Sequence, residues 1–202
     1  MITLKLASSL DGRIATASGE SRWITGAEAR AAVHELRAAH DAVLVGVETA
    51  LADDPELTVR TSGYQGPQPA RVILDSRQRL ADGCRLVATA RQIPTYVVAV
   101  GPPEPRLTEA GVRVVTVPAV GEDRPELKAV VAALAAEGLA RLFVEGGGQV
   151  SASFLRCGLA DAIEWFRAPI VIGGEGRPAV GALALATLSA APRFERIDVR
   201  PL

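Results

Sequence analysis

The 202 residues contain only two cysteines, two histidines, two lysines and one methionine. Each scarcity removes a class of chemistry. Cys84 and Cys157 lie far apart with no Cys-x-x-Cys or Cys/His spacing, and His34 and His40 do not have the i, i+4 spacing of a helical metal pair, so structural zinc is not expected. Both histidines read as surface or core residues. No sign of charge dominates: 22 basic residues face 23 acidic ones, for a net charge of -1. Without a global positive field, neither a nucleic-acid backbone nor an anionic membrane is an expected partner. No apolar run approaches the ~18 residues of a spanning helix, and no basic-then-apolar leader opens the sequence. The expectation is a cytoplasmic protein with reduced thiols.

What is present is an ordinary globular balance, 49% hydrophobic and 22% charged, in a length that suits one large domain. Strand and helix periodicities alternate along it. Ile2 to Ser8 reads as a strand, and Thr25-Gly26-Ala27-Glu28 reads as a capping box with Thr25 at the N-cap of a helix to about Ala39. Short Val/Ile-rich segments at Ala42–Gly46, Arg71–Asp75, Thr95–Val100, Val112–Val117 and Arg141–Glu145 read as buried parallel strands. A second amphipathic helix spans about Pro125 to Glu137, and a shorter one runs up to Gly158. In the tail, Ala162–Arg167 and Phe194–Val199 read as long antiparallel strands. Pro102-Pro103-Glu104-Pro105 fits a surface turn rather than a linker, so the whole chain, 1–202, is expected to form one α/β domain.

Twenty of the basic residues are Arg, so a Lys that persists stands out. Lys128 belongs to an exposed helix face. Lys5 lies within the first strand, sharing a face with Thr3 and Ala7 while Ile2, Leu4 and Leu6 take the other. Its compact ammonium, unlike a guanidinium, has an adjustable proton affinity. A strand followed by Glu145-Gly146-Gly147-Gly148-Gln149-Val150-Ser151 and a helix presents free amides and a helix N-terminus to a phosphate. The loop follows a late strand, so it is not a Rossmann loop. Trp23, one of two tryptophans, either stacks on a cofactor or covers the start of a helix. Asp53-Asp54-Pro55 reads as turn chemistry rather than a metal pair.

Five ordered segments resemble one family: Thr3 to Arg13, Gly19 to Thr25, Leu51 to Arg60, Val72 to Ser76 and Val144 to Gly147. That family is the pyrimidine reductase domain of riboflavin biosynthesis, in many bacteria the C-terminal half of a bifunctional deaminase/reductase. The resemblance implies a dihydrofolate-reductase-like fold with a mixed, mostly parallel sheet flanked by helices and with antiparallel C-terminal strands. It also implies NADPH-dependent reduction of the ribose of 5-amino-6-(5-phosphoribosylamino)uracil to ribityl. Carried over by motif, Trp23, Thr49, Asp53, Ser76, Gly147, Gly148, Gln149, Val150, Ser151, Ala152 and Ser153 would contact NADPH, with Ala7 near the nicotinamide. Ser21, Arg37, Leu57, Arg60 and Glu145 would surround the substrate.

Arg77, with Arg79, follows the strand ending at Asp75, where a basic residue can meet a 2′-phosphate. Lys5 is the candidate proton donor and Glu145 an orienting carboxylate or relay. No metal is implied, and no His-x-Glu with Pro-Cys-x-x-Cys is present, so a deaminase would be a separate or fused partner. A homodimer is expected because relatives form one. Two departures stand out: Ile170 occupies a position that is commonly basic in relatives, and relatives usually continue into another strand past Leu202. Three alternatives are reduction of the undeaminated 2,5-diamino-pyrimidinone, a dihydrofolate or other pteridine reductase on the same fold, and a non-catalytic nucleotide-binding module that binds NADPH without oxidising it.

Overall fold

The computed structural model describes residues 1–121 and 123–201. In chain order its strands and helices are β1 (Ile2–Ser8), β2 (Arg13–Ala15), α1 (Ala27–Ala38), β3 (Ala42–Gly46), α2 (Val47–Asp53), β4 (Ala70–Leu74), α3 (Arg85–Ala88), β5 (Thr95–Ala99), α4 (Pro105–Glu109), β6 (Arg113–Thr116), β7 (Ala119–Val120), β8 (Arg124–Pro125), α5 (Leu127–Ala136), β9 (Leu142–Val144), α6 (Gly148–Arg156), β10 (Ala162–Arg167) and β11 (Arg177–Pro178). Seven strands form one sheet in the order β10-β1-β9-β3-β4-β5-β6, and every pairing in it is parallel. The carboxyl ends of all seven strands therefore open on one edge. That edge is where an open α/β sheet builds its binding crevice.

Strand alternation sends two sets of side chains to opposite faces. Val43, Val45, Ile73, Val97 and Phe143 pack under α1, α2, α3 and α4, whose Val33, Ala50, Leu86 and Leu107 are buried there. Leu4, Leu44, Val72, Val98 and Val144 pack under α5 and α6, against Val130, Leu134 and Phe154. With both faces covered, the strands read as continuous apolar runs. Arg71 is the exception within a core strand. Its guanidinium, 1% exposed, donates to the hydroxyls of Thr89 and Thr95 and to the carbonyls of Leu86 and Ile93, so a buried cation is satisfied without a carboxylate.

Three expectations are corrected. β10 is a strand, but it pairs parallel to β1, because α6 carries the chain back across the sheet in a β-α-β unit before β10 begins. Phe194–Val199 forms no strand: it finds no sheet neighbour, and Ile197 is 93% exposed. The antiparallel pairings are confined to two small ribbons, β2 with β11 and β7 with β8. The N-cap of α1 is Gly26 rather than Thr25, with extended backbone (φ -68, ψ 179) and no side-chain cap bond. Thr25 instead offers its carbonyl to Arg30 Nη1 at 2.9 Å.

Candidate active site at the carboxyl edge

Three charged side chains from three elements meet above the α1 face of the sheet. Lys5 comes from β1, Glu145 follows the last residue of β9, and Arg37 stands on the last turn of α1. Arg37 grips the Glu145 carboxylate with two bonds, Nε to Oε1 at 2.5 Å and Nη2 to Oε2 at 3.0 Å, while Nη1 donates to Thr58 O at 2.8 Å. Both side chains are 10% exposed. A bidentate pair this enclosed holds the carboxylate in one orientation. Lys5 is largely buried beside it yet forms no hydrogen bond or ion pair among the described residues. Burial lowers its pKa below the ordinary lysine value, Glu145 opposes that shift, and Arg37 adds to it. A lysine depressed in this way can give up its proton more readily than an exposed one.

Next to this cluster the chain from 56 to 60 forms an arm. Leu57 has positive φ (54°) and is buried. Arg60 is exposed, its Nη1 bonded to Glu56 Oε2 at 3.1 Å and to Thr58 Oγ1 at 3.3 Å. Its backbone N–H donates to His34 Nδ1 at 3.2 Å. Burial first, then the Arg37 and Arg60 charges, lower the His34 pKa, in keeping with a ring nitrogen that accepts that bond.

The glycine loop lies across the same edge. Gly147 is the N-cap of α6 and no side chain among the described residues caps that terminus, leaving its first amides without a side-chain acceptor. Thr49 of α2 comes close: a Cβ built on Gly147 would lie 3.9 Å from Thr49 Oγ1. Gly148 admits no side chain, since a Cβ there would collide with the Pro178 carbonyl oxygen. Val150 fills the space over Gly46 and Gly146, Ala152 is fully buried, and Ser153 bonds back to Gln149 O at 2.9 Å. Ser151 is fully buried and its Oγ has no partner among the described residues.

Beyond the end of β4 a cavity of about 700 Å³ is lined by Glu48, Ser76, Arg77, Arg79, Asp123 and Arg124, among others. Arg77 pairs there with Asp123 at 2.6 Å, and Arg79 with Glu48 at 2.6 Å.

A loop from 16 to 26 flanks these groups. Trp23 is 72% exposed with the Arg30 guanidinium 4.5 Å from its ring centre, and Arg22 reaches to 4.0 Å from Asp53, the last residue of α2. Ser21 is exposed in the same loop. The loop after β1 is pinned by Asp11, which accepts from Ser9 Oγ, Ile172 N and Gly173 N; those bonds hold its carboxyl down to about 2.

A buried carboxylate clamped by arginine, a free lysine and an uncapped helix along one edge describe a site but not yet a lineage. The model of the RibD C-terminal domain matches residues 1–200. The chain belongs to that family. The RibD protein of Bacillus amyloliquefaciens, a riboflavin biosynthesis protein, is 37% identical over 89% of this chain and 48% of its own length. A protein of Methanothermobacter thermautotrophicus named 2,5-diamino-6-ribosylamino-4(3H)-pyrimidinone 5′-phosphate reductase is 40% identical over 86% of this chain and 79% of its own. Among solved structures, a Thermotoga maritima protein named a diaminohydroxyphosphoribosylaminopyrimidine deaminase/5-amino-6-(5-phosphoribosylamino)uracil reductase superposes with a TM-score of 0.77 at 29% identity, covering 98% of this chain and 52% of that one. The chain thus spans about half the length of the RibD proteins it matches.

Within this RibD C-terminal domain, the expected site residues fall into two groups. Lys5, Arg37, Leu57 and Glu145 gather at the carboxyl ends of β1 and β9, with Arg60 at their rim. Thr49, Ser76, Arg77 and the start of α6 line the edge beyond β3 and β4. Ala7, opposite Phe166 in β10, shares the Lys5 face of β1. His34, behind Arg60, is one neighbour that sequence reasoning passed over. Arg30, behind Trp23, is another; only its position, near an aromatic on an otherwise aromatic-poor chain, hinted at it.

Proposed function

We propose that this chain is an NADPH-dependent reductase that converts the ribose of a phosphoribosylamino-pyrimidine, 5-amino-6-(5-phosphoribosylamino)uracil, to its ribityl form. The observation that carries the reading is the enclosed Arg37–Glu145 pair with the unpaired Lys5 beside it, in a RibD C-terminal domain. The residues present fit the cofactor. An uncapped α6 terminus offers amides to a pyrophosphate, the buried Ser151 hydroxyl lacks a partner among the described residues, and Ser76, Arg77 and Arg79 line a cavity where an anion can displace exposed carboxylates. Exposed pairs such as Arg77–Asp123 are worth roughly 0–1 kcal/mol, so a dianionic 2′-phosphate displaces them at little cost.

When bound, the reduced nicotinamide supplies the hydride that C1′ of the ribose accepts. As C1′ gains it, the C1′–O4′ bond breaks and its electron pair goes to O4′. Lys5 Nζ then delivers a proton to O4′ to complete the hydroxyl. Glu145, fixed by Arg37, opposes the burial that lowers the Lys5 pKa and orients the ribose hydroxyls. Arg60, exposed at the rim, meets the phosphate. Trp23 shields the edge from water.

A second reading has one specific support, the name and 40% identity of the Methanothermobacter relative: the undeaminated 2,5-diamino-pyrimidinone is then the substrate. Comparing NADPH oxidation with the two pyrimidines decides between them. We further propose a homodimer, supported by the exposed apolar Leu188, Ile197 and Val199 of the tail, and a deaminase acting before or after this step.

A further inference from the structure

One buried ring touches all three elements that carry the charged cluster. His40, just past α1, has Nδ1 2.7 Å from Leu36 O and Nε2 2.9 Å from Thr3 Oγ1. Its ring packs on Phe143 with centroids 5.1 Å apart. Leu36 directly precedes Arg37. Thr3 lies two residues before Lys5 on the same face of β1, and Phe143 two residues before Glu145 on the same face of the sheet. The arrangement that satisfies every group has Nδ1 donating to the Leu36 carbonyl and the Thr3 hydroxyl donating to Nε2.

Sheet pairing already fixes β1 against β9, and so Lys5 against Glu145. It does not fix α1. The contacts of α1 with the sheet through Ala29, Val33 and Leu36 are apolar and carry no direction along the helix axis. The bond from His40 to Thr3 does carry direction, and it ties the end of α1 to the strand that bears Lys5. We propose that His40 is a positioning residue for the reduction, fixing α1 on the sheet so that Arg37 meets Glu145 bidentately and leaves Lys5 as the free proton donor. This rests on Lys5 acting as the acid, the reading given above.

The test uses His40→Phe, which keeps the ring and loses both bonds, and Thr3→Val, which keeps the shape and loses the hydroxyl. Lys5→Met serves as the reference. The readouts are single-turnover rate, KM for the phosphorylated pyrimidine, the pH profile of kcat and, separately, melting temperature. Displacing a positioned group is expected to lower kcat about tenfold or more in both variants, with KM near wild type. The alkaline limb of the profile should also move, because Arg37 on α1 changes its distance from Lys5 while the carboxylates facing it, Glu145 after β9 and Glu164, its register partner on β10, stay held by the sheet. A role confined to packing would lower the melting temperature and leave rate and limb unchanged, overturning the inference; Thr3→Val reads the same outcome if His40→Phe does not fold. If Lys5→Met abolishes turnover while both variants match wild type, the inference alone fails. If Lys5→Met retains turnover, the reading of Lys5 fails and takes the inference with it.

Discussion

Replacing Lys5 with Met separates chemistry from architecture more cleanly than any other single change in this protein. Met keeps the apolar length and removes the charge. Lys5 makes no hydrogen bond among the described residues, so none is lost, and the bidentate Arg37–Glu145 pair, 2.5 and 3.0 Å, remains whole. Taking an ammonium out of a largely buried position also relieves its desolvation cost, so the melting temperature should hold or rise. By contrast, removing Arg37 would strand a buried carboxylate at a cost of about 3–5 kcal/mol. The effect of Lys5→Met is therefore expected in kcat: a loss of about 100-fold or more, the scale of a positioned acid, which is about 2.7 kcal/mol of barrier.

Single-turnover hydride transfer under saturating NADPH and substrate measures it, with NADPH affinity taken separately by titration and expected to be unchanged. The active form of Lys5 is protonated, and its pKa lies below the ordinary 10.5, so wild-type kcat should be full at lower pH and fall as pH rises through that depressed value. In Lys5→Met that limb should vanish. Lys5→Arg keeps charge but holds its proton to above ~12, so it should not restore the rate. Near-normal kcat in Lys5→Met would refute the assignment and turn attention to Glu145.

Arg60→Ala should raise KM for the phosphorylated pyrimidine by about 10- to 150-fold, the equivalent of a charge-assisted contact of about 1.5–3 kcal/mol; a fall in NADPH affinity with KM unchanged would place Arg60 at the other ligand. Arg77→Ala should weaken NADPH much more than NADH in a binding titration, since its guanidinium borders the cavity past β4; equal losses would remove it from the 2′-phosphate. Light scattering at micromolar concentration should give a dimeric mass, and a fully active monomer would contradict the proposed homodimer.

Much of the sheet was legible in the sequence because buried parallel strands advertise themselves as short Val/Ile runs between glycines and prolines, as Ala42–Gly46 and Thr95–Ala99 do. Alternation within Ile2–Ser8 placed Lys5, Thr3 and Ala7 on one face, and the structure puts them there. The short helices α2, α3 and α4 were not legible: four to seven residues carry too few turns for a 3.6-residue period to emerge. The direction of β10 was hidden too, because periodicity within a strand says nothing about its neighbour; the preceding helix α6 decides it. At the site, Arg37 by local pattern alone resembles a surface charge on α1. Its burial comes from a partner 108 positions away, Glu145, a contact no local window contains. His40 was invisible for the same reason, since Thr3 and Phe143 reach it only through the fold.

The most direct measurement incubates the purified chain with NADPH and, in parallel, the deaminated and undeaminated phosphoribosylamino-pyrimidines, following cofactor oxidation and identifying the product by mass spectrometry. The expected result is stoichiometric NADPH oxidation with a ribityl product two hydrogens heavier, from the deaminated substrate if the first reading holds and from the diamino compound if the second does. Tight NADPH binding with neither pyrimidine reduced would contradict the account.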